Sequence, residues 1–269
     1  MSVVVEDFHK SYGRTNAVQG LSFRVEPGQV LGLLGPNGAG KTTTLRALAG
    51  ILHPSRGRLF VAGHDVERDP VAAKSVLAYV PDDPALFDNL TVWEHLRFSA
   101  AAYRLSADEW PSRAETLLQE FELVEKRDAL ASELSRGMRQ KVAICCGYLH
   151  KPLVILLDEP MTGLDPKGIR TMKNSLHQRA AEGATVIVSS HLLSLVGDIC
   201  TDILIVHHGR RLLQGNLQTL TEEMKGTGES ETLEDLFLRL TSSHDGGLDA
   251  DALSETIAGV PPPGGDRSS

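Results

Sequence analysis

Cysteine is scarce in this chain. Cys145, Cys146 and Cys200 are the only three among 269 residues, with no spacing that suggests a pair. That excludes a disulfide-stapled secreted scaffold and predicts three thiols packed inside a reduced, cytosolic protein. No charged-then-apolar leader opens the sequence, and long apolar runs are missing. The longest unbroken aliphatic stretch, "LVILL" at 153–157, ends at Asp158, far short of the roughly 18 residues that a membrane span needs. If the chain works at a membrane, another chain must hold it there. Excess positive charge is absent as well. A net charge of −8 argues against a surface built throughout to hold nucleic acid, and local basic patches are all that remains of that option. Internal repeats and long heptad arrays are also lacking, while the 41% hydrophobic content is ordinary for a folded domain and disfavours general disorder.

What is present alternates short β-branched runs with helical patterns. "VVVEDF" (3–8) and "LSFRVE" (21–26) alternate apolar and polar residues, as half-exposed strands do. "VLGLL" (30–34), "LVILL" (153–157) and "TVIVS" (185–189) are nearly continuous apolar runs, the pattern of parallel strands covered on both faces. Helical stretches follow each, at 40–50, 166–182 and 192–199. This predicts an open α/β sheet with right-handed crossovers. Between the first two of these buried strands lies a mostly helical insert, about 82–150, entered through "PDDPALFDN" and carrying helices near 91–103, 107–121 and 136–149. Beyond about residue 241 the composition falls to Gly, Pro, Ser and Asp, so 241–269 is expected to be a disordered tail.

Three stretches carry chemistry. "GPNGAGKTT" (35–43) follows a strand and opens a helix, matching the phosphate-loop pattern in its required context. Gly35, Gly38 and Gly40 allow backbone angles that aim successive N–H groups at phosphate oxygens, with Pro36, Asn37 and Ala39 completing the loop. Lys41 neutralises the β- and γ-phosphates, the Thr42 hydroxyl can ligate Mg²⁺, and Thr43 reaches the α-phosphate side. "LLDEP" (156–160) ends a buried strand in two acids, where open α/β sheets bind ligands. Asp158 is suited to hold Mg²⁺ through water, and Glu159 to orient and deprotonate the water that attacks the γ-phosphate. Taken alone it could equally be a solvated acidic turn. "SSH" (189–191) ends the next strand; His191 is either a surface residue or a group that reaches the γ-phosphate.

A fourth stretch, "ELSRGMRQK" (133–141), reads as a helix start capped by Ser135, with Gly137 two residues in and Arg136, Arg139 and Lys141 close behind. So basic a helix N-terminus predicts an anionic guest, and no neighbouring residue in the sequence supplies one.

The order phosphate loop, helical insert, "LSRGM", "LLDEP", "GLDP", "SSH" resembles the ATP-binding cassette (ABC) ATPase family over residues 3 to about 215. "YVPDDPALFDNLTVWEHL" (79–96), "LSRGMRQK" (134–141) and "LEDLFLRLT" (233–241) look like the ATPases of bacterial ABC-2-type exporters. The resemblance implies a P-loop NTPase (RecA-like) core sheet with an N-terminal antiparallel β subdomain and an inserted α-helical subdomain, all within an ATPase domain at 1–240. It implies Mg²⁺-dependent ATP hydrolysis by one subunit of an exporter, peripheral on the cytoplasmic face of the membrane and joined to separate transmembrane subunits. A soluble ABC ATPase acting on ribosomes or DNA is the competing reading. Such members usually carry two cassettes or long coiled-coil inserts, and this chain has neither.

The resemblance also names a guest for the basic helix start. Ser135 and Gly137 would touch the γ-phosphate of an ATP held by a second copy or by a second ABC ATPase, Asp165 of "GLDP" would cross the same interface, and Tyr12 of "SYG" would stack on adenine. Asp165 reads locally as a helix cap before Pro166, and Tyr12 as strand-end packing. Two positions depart from the commonest pattern. Arg136 and Met138 replace a glycine and a glutamine in the signature, and Asp82 stands where most members have a glutamine that touches Mg²⁺. Asp82 is therefore either a metal-facing residue or part of a capped turn. The membrane partner is expected near residues 82–105, where Leu86, Phe87, Trp93, Leu96, Phe98 and Tyr103 are dense for a chain only 5% aromatic; the same side chains could instead form the core of the helical insert.

Overall fold

The computed structural model describes residues 2–191, 197–226, 235–237 and 241. Two sheets share one core. Strands β1 (Val3–Tyr12), β2 (Thr15–Val25), β4 (Arg56–Val61) and β5 (His64–Asp65) form an antiparallel sheet in the order β2-β1-β4-β5. Strands β3 (Val30–Leu34), β6 (Leu77–Val80), β7 (Val154–Asp158), β8 (Thr185–Ser190), β9 (Asp202–His207) and β10 (Arg210–Asn216) form the second, in the order β10-β9-β3-β8-β7-β6. All its pairings are parallel except β10 on β9.

The unbroken apolar runs have a direct structural cause. Every residue of β3, β7 and β8 is buried, because each strand feeds a different core from each face. Leu31 and Leu33 of β3 pack with Leu156 of β7 and with Val3, Val5 and Phe8 of the antiparallel sheet. Val30 and Leu34 point the other way, into a core shared with Ile155, Leu157 and the helices. Helix α1 (Lys41–Leu48) serves the first core through Leu45 and Leu48. Helices α3 (Val92–Ala102), α4 (Trp110–Glu120), α5 (Arg136–Tyr148) and α6 (Pro166–Ala181) serve the second. The short α2 (Pro70–Ser75) leads into β6, and α7 (Leu217–Gly226) follows β10.

Helix starts are fixed by local side chains. Thr91 and Glu94 form a reciprocal capping box at α3, with Glu94 N–H donating to Thr91 Oγ1 at 3.2 Å and Thr91 N–H to Glu94 Oε2 at 2.9 Å. Ser135 caps α5 by accepting from Met138 N–H at 3.3 Å, and Asp165 caps α6 by accepting from Gly168 N–H at 2.9 Å.

Several elements were not expected from sequence. β4, β5 and α2 fill the stretch between α1 and the helical insert, and β6 adds a parallel edge strand beside β7. Strands β9 and β10 extend the other edge, although "DILIVH" is as continuous an apolar run as those used to find β7 and β8. Residues 192–196 of the helix expected at 192–199, most of "LEDLFLRLT" and the tail from 242 lie outside the described residues. Cys145 and Cys200 are buried and Cys146 half-buried. Burial pushes the Cys146 thiol up to about 11 and that of Cys200 to about 12, so these sulfurs are packing groups and poor nucleophiles at neutral pH. No helix among the described residues is long and apolar enough to cross a membrane.

Candidate functional site

The carboxyl ends of β3 and β7 open onto one cavity of about 540 Å³. Residues 36–43, which run from the end of β3 into α1, form one wall, and Asp158 and Glu159 form another. Gly40 shows what the loop demands. It adopts φ +102°, and a Cβ there would lie 2.7 Å from the Ala17 carbonyl oxygen, so backbone angle and close approach both require glycine.

Lys41 is 6% exposed and its ammonium donates to the carbonyls of Gly35 at 2.7 Å and Pro36 at 3.3 Å. Glu159 Oε1 lies 3.8 Å from the same nitrogen. Burial lowers the Lys41 pKa, and the nearby Glu159 and Asp158 carboxylates oppose that shift without cancelling it. A desolvated cation beside two acids, in a glycine-rich loop that opens a helix, is a site prepared for an anion with several oxygens.

Asp158 is 2% exposed and accepts a short hydrogen bond from Ser189 Oγ on the neighbouring strand. Glu159 follows with φ +48°, a left-handed angle that a non-glycine residue adopts only when its surroundings compel it. Its N–H donates to both the carbonyl oxygen and the hydroxyl of Ser189, at 3.2 and 3.1 Å. With the backbone so held, the Glu159 carboxylate reaches Lys41 with one oxygen and, at 3.0 Å, His191 Nδ1 with the other. An ionised carboxylate can only accept, so that contact places the proton on Nδ1.

The residues present suit Mg²⁺. Thr42 and Asp158 offer hydroxyl and carboxylate oxygens in one cavity, which is the donor chemistry this ion takes. Among the described residues no cluster of three or more His, Cys, Asp or Glu could hold a metal ion.

Other expected residues lie around this centre. Tyr12 ends β1 with its ring 48% exposed and is not in the cavity wall, although Thr15, Asn16 and Ala17 of the adjoining hairpin are. Ser135, Gly137 and Asp165 are also outside that wall. Gly137 has a reason of its own: a Cβ there would lie 2.6 Å from the Gly163 carbonyl oxygen, so the start of α5 packs directly on the loop between Glu159 and Asp165. Gln19 and His208 also line the cavity. The sequence offered no sign of them, since they arrive from the far ends of the chain through β2 and the β9–β10 turn.

The expectation of an unaccompanied basic helix start is corrected. Arg136 Nη2 donates to Asp82 Oδ1 at 2.9 Å, and Arg139 Nη1 to Asp88 Oδ1 at 2.9 Å. The acids come from the loop before α3, more than 50 residues earlier, so their proximity is purely tertiary. Asp82 lines the cavity, yet this carboxylate oxygen already has a cationic partner.

The aromatic group at 82–105 divides. Leu96 is fully buried, Trp93 packs against the core with Arg127 3.7 Å above its ring, and Tyr103 stacks on His150 at 3.6 Å. Phe87 and Phe98 are each 55% exposed and meet edge to face at 5.5 Å.

The family model described as ABC transporter matches residues 18–162. The chain is 36% identical over 242 residues to the ABC-type transporter ATP-binding protein EcsA of Bacillus subtilis (strain 168), covering 90% of this chain and 97% of that protein. It is 36% identical over 206 residues to the Nod factor export ATP-binding protein I of Paraburkholderia xenovorans (strain LB400), covering 77% of this chain and 68% of that one. A solved structure of the ATP-binding subunit of an ABC transporter superposes with a TM-score of 0.83 at 33% identity, covering 89% of this chain and 99% of the other.

Proposed function

The chain belongs to the ABC transporter family as an ATP-hydrolysing subunit, and from that premise we propose that ATP is bound and cleaved in the cavity between residues 36–43 and Asp158–Glu159, in the service of export. The observation that carries this is the placement of Lys41. It is buried against two loop carbonyls with Glu159 3.8 Å away, where the carboxyl ends of β3 and β7 face one cavity.

In this reading N–H groups of the loop from Asn37 to Thr43 and the Lys41 ammonium hold the phosphates. Glu159 accepts a proton from the water that attacks the γ-phosphate, a role worth roughly 10²–10⁴-fold in rate. Its contact with His191 fixes the carboxylate's orientation and keeps the imidazole beside the reacting phosphate. Thr42 and Asp158 would hold Mg²⁺, which when bound offsets charge on the phosphate oxygens. Tyr12, at the edge of the hairpin that lines the cavity, stacks on the adenine.

Export requires a moving pair. Two copies, or this chain and a second ABC ATPase, close head to tail so that Ser135, Gly137 and Asp165 of each face the ATP held by the other. Driving a two-state transporter from about 1:99 to 99:1 takes roughly 5.5 kcal/mol of differential binding, within reach of two nucleotides bridging one interface. The membrane-embedded permease docks near 82–105, and the exposed Phe87–Phe98 pair is the apolar anchor this range offers. The chain then sits on the cytoplasmic face of the membrane through that partner. The similarity to an export ATP-binding protein supports the outward direction.

The test is purification from its own membranes in mild detergent, with ATPase activity followed throughout. Recovery of an integral membrane protein together with the activity is expected. Recovery only with ribosomes or DNA would sink the transport reading.

A further inference from the structure

Asp82 is an acid in the wall of the proposed nucleotide cavity, and Arg136 is the first residue of a helix packed outside it. Three observations bind them into one device. The guanidinium donates to Asp82 Oδ1 at 2.9 Å. The aliphatic stem of Arg136 runs beside Gly163, where a Cβ would come within 3.4 Å of Arg136 Cδ, so the loop that follows Glu159 shapes the path of the side chain. Next to it, Gly137 rests on the Gly163 carbonyl. The arginine is therefore guided along its stem and engaged at its tip.

We infer that Arg136 is a positioning residue which engages the Asp82 carboxylate and keeps it from joining Thr42 and Asp158 around the cation, so that Arg136 sets how strongly ATP binding depends on Mg²⁺. The inference rests on the reading of the cavity as the ATP site. The physical reason is competition for one carboxylate. A guanidinium satisfies carboxylate oxygens with directed, charge-assisted hydrogen bonds. An oxygen so engaged is a poorer ligand for a divalent ion, and the fixed positive charge beside it further disfavours a second cation. Remove the guanidinium and the cavity gains an uncommitted carboxylate of the hard-oxygen type that Mg²⁺ prefers. The side chains of Arg136 and Asp82 are 55% and 46% exposed, so the effect is screened by salt and is best read at low ionic strength.

The experiment measures equilibrium binding of a hydrolysis-resistant ATP analogue by calorimetry, with Mg²⁺ and with a chelator, for wild type, Asp82→Asn, Arg136→Gln and the double variant. The quantity read is the dissociation constant with chelator divided by that with Mg²⁺, and a thermal unfolding scan confirms that each variant is folded. Asp82→Asn is expected to leave the ratio close to wild type. Arg136→Gln is expected to raise it roughly threefold or more, the scale of one freed charge a few ångströms from the ion. The double variant is expected to return to the wild-type ratio. An unchanged ratio in Arg136→Gln overturns the inference. So does a rise that persists in the double variant, which would mean that general loss of positive charge is responsible. A marked fall in Asp82→Asn alone would show that Asp82 already serves the cation, and that also overturns it. If wild type bound no analogue under either condition, the reading of the cavity would fail first, an outcome distinct from binding that is normal with a ratio flat across the set.

Discussion

Glu159 Oε2 lies 3.0 Å from His191 Nδ1, joining the residues that follow two neighbouring parallel strands. The other Glu159 oxygen faces Lys41. One carboxylate thus ties together the phosphate loop, the end of β7 and the end of β8, and what it does chemically can be separated from what it holds in place. Glu159→Gln keeps the shape and removes the basicity. ATP binding should stay within a few fold of wild type while hydrolysis falls at least about 100-fold. Turnover at the wild-type rate, measured by phosphate release under saturating ATP, would show that another group is the base.

Gly137→Ala tests the contact between α5 and the loop after Glu159. The added methyl would sit 2.6 Å from a backbone oxygen that has no flexible side chain to move aside. Overpacking of this kind typically costs about 1–3 kcal/mol. A lower melting temperature is expected together with slower hydrolysis, because the loop that must shift begins at Glu159, the proposed general base. A variant as stable and active as wild type would mean that the loop yields freely.

Arg139 and Asp88 form an ion pair of unequal halves. Arg139 also donates to the Ala131 carbonyl at 2.9 Å and is 24% exposed, whereas Asp88 is 67% exposed. Arg139→Ala removes one of the two donors to the Ala131 carbonyl, leaving only the Leu134 N–H at 3.2 Å, and should cost about 1 kcal/mol, while Asp88→Asn should cost well under that. Chemical denaturation of both variants checks the order, and equal losses would contradict it.

Asp65 supplies a pH test away from the site. Burial pushes its carboxyl upward, but the Arg68 and Glu67 amides and the Arg58 guanidinium together outweigh this and hold it below the ordinary value of 3.8. A depressed carboxyl stabilises the fold above its unfolded pKa, and that contribution is lost as pH falls through the folded value. Asp65→Asn should therefore be less stable than wild type near neutrality, with the deficit shrinking below pH 3.8. Melting temperatures across an acid series decide the matter; a deficit independent of pH would mean that packing is responsible.

The strands that were legible in sequence are those buried on both faces, because double burial writes an unbroken apolar run, and β3, β7 and β8 are of that kind. Helices announced by their caps were legible too: Ser135 and Asp165 begin helices where the sequence placed them, and the helix expected near 91–103 starts at Val92. Edge elements were not. β6 is four residues long and follows α2 with a single residue between, and β10 has no buried residue, so neither carries the periodicity that would reveal it.

By itself the sequence determined the phosphate loop, the acids that end β7 and the order of motifs along the chain, because these depend on residue types at fixed local spacing. Only the tertiary structure decided which charges meet. Arg136 and Arg139 read as waiting for an anion from elsewhere until the fold brought Asp82 and Asp88 to them. Phe87 and Phe98 could not be told from core aromatics until α3 had turned Leu96 inward and left those two outside. Short-range spacing fixes what a segment can bind, whereas the partner of a side chain is set by distances that exist only once the sheets and helices have packed.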